Sequence, residues 1–141
     1  MPRLLALDIG EKRIGVALSD ESQLLARPLT TITRASKRAD FEKIGKLIAE
    51  HGVERVIAGL PRTRRGEEGL QARRVRRYVE ALAAAIGVPI VYQDERYTSL
   101  EAEDRLDVTR KPRSKGDIDA AAAAIILQDY LNRTLTADAE S

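Results

Sequence analysis

The sequence contains no cysteine, no tryptophan and a single histidine among its 141 residues. Without cysteine the chain can form no disulfide bond, no thiolate metal site and no cysteine nucleophile. The one histidine, His51, excludes metal centres built from several histidines and leaves only one residue that could serve a Ser-His-Asp triad. If the protein is an enzyme, carboxylates are therefore the side chains to which we assign its chemistry.

Long hydrophobic runs are also missing. The apolar run at residues 4–7 ends at Asp8, well short of the ~7–15 residues of a signal-peptide core. No segment approaches the ~20 apolar residues of a membrane helix. We therefore expect a cytoplasmic protein with no membrane partner.

Charge of one sign is not in excess overall, because 24 Lys and Arg face 22 Asp and Glu, for a net charge of +2. The cations are nevertheless unevenly distributed: 18 are Arg, and residues 62–77 hold seven Arg against two Glu. A second basic run covers residues 110–115. Guanidinium groups bind phosphates bidentately, so these runs favour a nucleic-acid partner. Solvated helix faces in an Arg-rich protein are the alternative interpretation.

The hydrophobic pattern changes its period along the chain. Short apolar runs at residues 3–9 and 13–19, and a third within 24–33, predict three antiparallel strands, with Pro28 favouring an edge position. The remaining pattern alternates between helix and strand, which predicts parallel pairing. The further predicted elements are a helix over 36–50, a strand over 53–60, a helix over 67–86, a strand over 88–93, a short helix near 99–106 and a final helix over 114–133. We therefore expect a single α/β domain over 1–133, with a mixed five-stranded sheet between helices, and a disordered acidic tail over 134–141.

Acidic residues stand where such a fold exposes catalytic groups. Asp8 lies near the end of the first strand, on the face of Leu4 and Ala6, where an ionised carboxylate needs a partner. Glu95 follows the last strand at the carboxyl end, where parallel sheets place their ligands. On the last helix, Asp119 lies on the more apolar stripe and should face the sheet, whereas Asp117 should face solvent.

Asp8, Glu95 and Asp119 have no obvious counter-charge in the sequence, so we expect a cation to compensate them. Hard oxygen ligands without histidine or cysteine favour Mg²⁺ or Mn²⁺, bound as one or two ions. Such ions activate water for phosphodiester hydrolysis. The alternative is that these residues are ordinary surface acids and helix N-terminal charges.

Five blocks of sequence, in order and across nearly the whole chain, resemble the YqgF/RuvX family of RuvC-like nucleases. The blocks are LALDIGEKRIGVALSD (5–20), ARPLTTI (26–32), VIAGLPRTRRGEEG (56–69), QDERYTSLEAE (93–103) and KGDIDAAAAAIILQDYL (115–131). The resemblance implies a ribonuclease H-like fold and a divalent-metal phosphodiesterase. Its catalytic and metal-binding acids fall on Asp8, Glu95 and Asp119.

The basic residues and their polar neighbours are assigned to substrate binding. They are Lys12, Arg13, Arg62, Arg64, Arg65, Arg73, Arg74, Arg96, Tyr97, Thr98, Lys111, Arg113 and Lys115. The loop that follows Gly-Leu-Pro departs from the family, which usually has Asn and Asp where this chain has Arg62-Thr63-Arg64-Arg65. The added charge should raise the affinity of this loop for phosphate.

The resemblance favours processing of pre-16S ribosomal RNA, with ribosomal precursor particles as partners. Cleavage of branched DNA as a Holliday junction resolvase is the alternative, and it would require a homodimer rather than a monomer. A non-catalytic nucleic-acid-binding module on the same fold is the third hypothesis. With 4% aromatic residues, recognition by base stacking has few platforms, and Tyr97 is the best candidate.

Overall fold

The computed structural model describes residues 2–62, 67–95 and 115–140, which form one sheet covered by helices on both faces. The strands are β1 (Arg3–Ile9), β2 (Arg13–Ser19), β3 (Ala26–Thr33), β4 (Val53–Pro61) and β5 (Ile90–Glu95). The helices are α1 (Lys37–His51), α2 (Leu70–Ala85) and α3 (Lys115–Glu140). Within these ranges, no helix has both the length and the hydrophobicity of a membrane span. The predicted short helix near 99–106 lies outside the described residues.

The sheet has the strand order β3-β2-β1-β4-β5. The first three strands are antiparallel neighbours, and β4 and β5 are added parallel to β1. This confirms the predicted mixed sheet. Because β1, β4 and β5 run in the same direction, their carboxyl ends meet at one edge of the sheet.

The edge strand β3 accommodates Pro28 as predicted. Ala17 pairs with Pro28 and Val16 pairs with Thr30, so the register shifts by one residue at this point. The irregularity is typical of a strand that carries proline, which cannot donate a backbone hydrogen bond.

Alternation along β1 divides the core into two layers. Leu5, Leu7 and Ile9 pack in the layer that includes residues of α1 and α2. Leu4 and Ala6 pack on the opposite face, against α3. Asp8 continues the second series, so its side chain is directed to the face that α3 covers.

The ends of α1 agree with the signals in the sequence. The backbone N–H of Ala39 donates to Ser36 Oγ at 3.1 Å, which caps the N-terminus. Gly52 ends the helix with φ of 62°, in the left-handed region that glycine adopts without strain.

The predicted end of the last strand was wrong. β5 covers 90–95 rather than 88–93, so Asp94 and Glu95 belong to the strand and pair with Leu60 and Pro61. The ladder continues because β4 also extends to Pro61, and the backbone N–H of Arg62 donates to the carbonyl oxygen of Glu95 at 3.0 Å. Alternation then directs Asp94 and Glu95 to opposite faces of the sheet.

Two helix boundaries also differ from the prediction. α2 begins at Leu70 rather than 67, after Gly69 in an extended conformation, and glycine is costly inside a helix. The backbone of α3 remains helical to Glu140, beyond the predicted end at Arg133. Extending an existing helix avoids the cost of nucleation, so the 134–140 segment that we expected to be disordered continues it.

Candidate active site at the carboxyl ends of the strands

A glycine on β2 determines where α3 crosses the sheet. Gly15 pairs with Asp8 across the β1–β2 ladder. A Cβ atom at position 15 would overlap the backbone carbonyl of Asp119 and lie 3.0 Å from the backbone nitrogen of Ala120. The first turns of α3 can therefore rest directly on β2, which brings Asp119 next to Asp8.

Asp8 occupies a partly buried position at the end of β1. Burial, and to a lesser extent the neighbouring charge of Asp119, together raise the pKa of its carboxyl from 3.8 to about 6. Two carboxylates thus interact electrostatically at positions where neither is fully exposed to water. Such a pair is unfavourable when both groups are ionised, and a cation between or beside them relieves the repulsion.

Arg13 supplies a counter-charge that sequence analysis did not find. Its Nε atom donates to Asp119 Oδ2 at 2.6 Å, and both side chains are partly buried. The expectation that the three acids lack a counter-charge is therefore wrong for Asp119. The reason is topological: Arg13 begins β2, and only the crossing of α3 over Gly15 brings Asp119 to it.

Asp119 and Asp117 have the orientations that the helical wheel predicts. Asp117 is exposed, whereas Asp119 is partly buried against the sheet. The stripe that continues from Asp119 packs on the sheet through Ala123 and Ile126. The close approach of this stripe is also seen at Gly59, where a Cβ atom would lie 2.5 Å from Ile126 Cδ1.

Glu95 ends β5, two strands away from Asp8 but on the same face of the sheet. It is buried, with 9% of its surface exposed, and it shares its face with Gln93, which accepts a hydrogen bond from Arg133 Nη1 at 2.9 Å. Among the residues that the structure describes, no three acidic or histidine side chains lie close enough to hold one metal ion. The structure therefore brings Asp8 and Asp119 together and leaves Glu95 apart.

The carboxylate side chains of the site are the donors that the Mg²⁺ or Mn²⁺ expected from the sequence would need. Carboxylate oxygens are the ligands that these ions prefer, and the mutual repulsion of Asp8 and Asp119 is relieved by a divalent cation. The chemistry of the residues thus fits the ion. Their arrangement is not that of a three-carboxylate site, because Glu95 lies apart among the described residues and Asp119 Oδ2 is bound to Arg13 Nε.

Several residues assigned to substrate binding are engaged with carboxylates. Arg62 Nη2 lies 3.0 Å from Asp94 Oδ1, and Arg62 Nη1 lies 3.4 Å from Glu68 Oε2. Arg74 Nη1 lies 2.7 Å from Glu11 Oε1 on the β1–β2 turn. The Arg74–Glu11 pair is exposed and has a small net energy, so a phosphate group can displace it at little cost, whereas the side chain of Arg62 is only 21% exposed.

The other residues of that assignment are distributed between exposed positions and undescribed ones. Lys12 and Arg73 are exposed. Lys115 is the first residue of α3. The rest lie outside the described residues: Arg64, Arg65, Arg96, Tyr97, Thr98, Lys111 and Arg113.

Sequence reasoning missed a buried group that supports the β1–β2 turn. Arg34 Nη1 donates to the carbonyl oxygen of Gly10 at 2.8 Å, and its guanidinium lies 4.5 Å from the centre of the Tyr78 ring. Asp40 is buried, with 1% exposed, and accepts hydrogen bonds from Tyr78 Oη at 3.1 Å and from the backbone N–H of Ala35 at 3.0 Å. No motif marks these residues, because they come from different elements. The group holds the turn that carries Lys12 and leads into Arg13.

The sequence is similar to a known protein family over most of its length. Residues 2–133 match the family model described as "RuvX: Holliday junction resolvase". A protein of Chloroflexus aggregans named "Putative pre-16S rRNA nuclease" is 50% identical over 131 residues, covering 92% of each chain. A protein of Microcystis aeruginosa with the same name is 48% identical and covers 92% of this chain and 90% of its own.

Solved structures with low sequence identity show the same fold. Thermus thermophilus RuvC in complex with a Holliday junction substrate has a TM-score of 0.57 at 17% identity, covering 94% of this chain and 96% of its own. The fowlpox virus resolvase in complex with Holliday junction DNA has a TM-score of 0.55 at 12% identity, with 94% and 99% covered. The ribonuclease H-like fold expected from the sequence is thereby confirmed. With the family model covering nearly the whole chain and relatives near 50% identity, the chain belongs to the RuvX family.

Proposed function

We propose that the protein is a divalent-metal-dependent nuclease that hydrolyses phosphodiester bonds of pre-16S ribosomal RNA in the cytoplasm. The observation that carries the proposal is the electrostatic interaction between the neighbouring carboxylates of Asp8 and Asp119 at the carboxyl end of β1. The names of its relatives support the reaction and the substrate, and the resolvase fold supports a nuclease.

Asp8, Asp119 and Glu95 are the residues that would hold Mg²⁺ or Mn²⁺ in this proposal. When bound, such an ion lowers the pKa of a coordinated water and stabilises the charge on the leaving oxygen. Asp8 and Asp119 stand on rigid elements, a central strand and a helix seated on the sheet, so their carboxylates are positioned before substrate arrives. Glu95 would complete the site from β5, two strands away at the same edge of the sheet.

The basic residues hold the RNA backbone around this acidic centre. Lys12 and Arg13 lie on the β1–β2 turn and at the start of β2, and Arg74 reaches the same turn from α2 through Glu11. Arg62 follows β4 beside Asp94. Phosphate contacts from these positions fix the register of the strand without reading bases. Specificity then depends on the shape of the RNA and on the precursor particle.

The test uses labelled pre-16S RNA with Mg²⁺ or Mn²⁺ and a pair of matched variants. Asp119→Asn should reduce cleavage to the background of the assay, because a metal ligand is lost. Asp117→Asn removes an exposed carboxylate from the same turn of the same helix and should cleave as well as wild type. Equal activity of the two variants would refute the assigned site. Binding of RNA without cleavage by wild-type protein would instead favour a non-catalytic module.

Cleavage of branched DNA is the second candidate, because the family description and the solved structures concern Holliday junctions. A four-way junction, single-stranded DNA and single-stranded RNA should be compared with the ribosomal precursor under the same conditions. Symmetric cleavage of the junction by a homodimer, with light scattering to measure the mass, would favour the resolvase. A monomer that cleaves only RNA would support the ribosomal function.

A further inference from the structure

The ion pair between Arg13 and Asp119 occupies one of the proposed metal ligands. Arg13 Nε lies 2.6 Å from Asp119 Oδ2, a charge-assisted hydrogen bond of short length. The side chains of Arg13 and Asp119 are 33% and 25% exposed. The pair is therefore accessible from solvent, and its carboxylate interacts electrostatically with the partly buried Asp8.

A divalent cation bound to Asp119 weakens the interaction of Arg13 with the same carboxylate. A guanidinium bound to Asp119 would lie within a few ångströms of an ion bound to Asp8 and Asp119, and two cations repel at that distance. Binding of the ion thus weakens the Arg13–Asp119 pair and favours the separation of Arg13 from Asp119. Once released, the partly exposed guanidinium of Arg13 is available to bind another anion.

Arg13 is placed to find that anion in the substrate. Its backbone is held in the β2 ladder by pairing with Thr33, and its carbonyl oxygen accepts a hydrogen bond from the N–H of Gly10 at 2.9 Å. Only the side chain is free to reorient. The planar guanidinium matches a phosphate in two hydrogen bonds, and the exposed Lys12 precedes it.

We propose that Arg13 is an exchangeable counter-ion, which neutralises Asp119 in the metal-free protein and moves to a backbone phosphate of the nucleic acid when Asp119 binds a divalent cation. Binding of metal and binding of nucleic acid consequently strengthen each other through this one residue. The inference rests on the proposed function and adds to it a coupling between its two ligands.

The first measurement is the affinity for Mn²⁺ without nucleic acid, by isothermal titration calorimetry. Arg13→Gln should bind Mn²⁺ about tenfold more tightly than wild type, because no charge-assisted hydrogen bond has to be broken. Arg3→Gln is the matched control: Arg3 pairs with Glu21 at 3.5 Å at the opposite end of β1, and its loss should leave the Mn²⁺ affinity unchanged. Equal affinities of wild type and Arg13→Gln would overturn the proposal.

The second measurement is the coupling itself. Anisotropy of a short labelled RNA, checked for integrity on gels, gives its dissociation constant with and without Mn²⁺. Wild type should bind RNA more tightly with Mn²⁺, and Arg13→Gln should lose RNA affinity and most of that enhancement. An undiminished enhancement in Arg13→Gln would overturn the proposal. If the glutamine variant does not fold, Arg13→Met, which keeps an apolar stem and removes the charge, must still bind Mn²⁺ more tightly than wild type, and equal affinity would overturn the proposal.

These outcomes separate the counter-ion from the nuclease. Tighter Mn²⁺ binding by Arg13→Gln without any RNA cleavage by wild type would support the exchange and refute the proposed function. Cleavage by wild type with Mn²⁺ affinity independent of Arg13 would refute the exchange alone. Absence of Mn²⁺ binding in both proteins would overturn the exchange together with the metal site.

Discussion

Replacing Asp8 by asparagine should stabilise the protein while removing its activity. Burial and Asp119 raise the pKa of Asp8 from 3.8 to about 6, so the native state disfavours the ionised carboxylate that the unfolded chain forms easily. At about 1.4 kcal/mol for each pKa unit, the charge costs about 3 kcal/mol of unfolding free energy at pH 7.5. Asparagine has the same shape without the charge and avoids this cost.

The direction of the pH dependence of stability is set by which state, native or unfolded, holds the proton of Asp8. Between pH 3.8 and about 6 the native protein keeps the proton on Asp8 while the unfolded chain releases it. The stabilising contribution of Asp8 is thus complete below pH 3.8 and is lost as the pH rises through about 6. Wild type and Asp8→Asn should be equally stable near pH 3.5 and differ by up to about 3 kcal/mol at pH 7.5.

Urea unfolding from pH 3.5 to 8 in the presence of a chelator measures this difference directly. A gain of about 3 kcal/mol corresponds to a rise of roughly 10 °C in melting temperature for a chain of this size. Asp117→Asn is the control, since that exposed carboxylate should leave the pH profile of wild type unchanged. Parallel profiles for wild type and Asp8→Asn would refute the reasoning, as would a loss of stability in Asp8→Asn at pH 7.5.

Three further predictions concern the supports of the site. Gly15→Ala should displace α3 from β2 and lower the free energy of unfolding in urea by at least about 2 kcal/mol. The control is Gly45→Ala in α1, where an added Cβ meets nothing within 4 Å and the free energy of unfolding should rise by about 0.5 kcal/mol. Equal effects of the two substitutions would contradict the close approach of α3 to Gly15. Asp40→Ala should lower the free energy of unfolding by about 3 kcal/mol, because it leaves the hydroxyl of Tyr78 and the guanidinium of Arg34 without their buried acceptor. An unchanged melting temperature would show that the buried group does not stabilise the protein. Replacing Arg64 and Arg65 by alanine should reduce the slope of log affinity against log salt for single-stranded RNA by about 1.4, and an unchanged slope would mean that this loop does not contact the substrate.

The local pattern of the sequence was enough to predict most elements of the fold. Period-two runs identified the strands, and Ser36 and Gly52 marked the ends of α1, because these signals act through neighbouring residues. The boundary at Glu95 was missed because pairing with Pro61, a residue of another strand, decides where β5 ends. Boundaries that depend on a distant partner leave no local signal.

The same distinction holds for the site. The chain alone predicts that the chemistry rests on carboxylates, since it has no cysteine and one histidine. It also determined that Asp119 rather than Asp117 faces the sheet, since helical spacing is local. The tertiary structure alone decided that Arg13 neutralises Asp119, that the pKa of Asp8 is raised, and that Arg34 binds the turn at Gly10. Each of these is a property of side chains brought together from separate elements, and the strength of an electrostatic interaction depends on distance and burial, which only the packed sheet and helices determine.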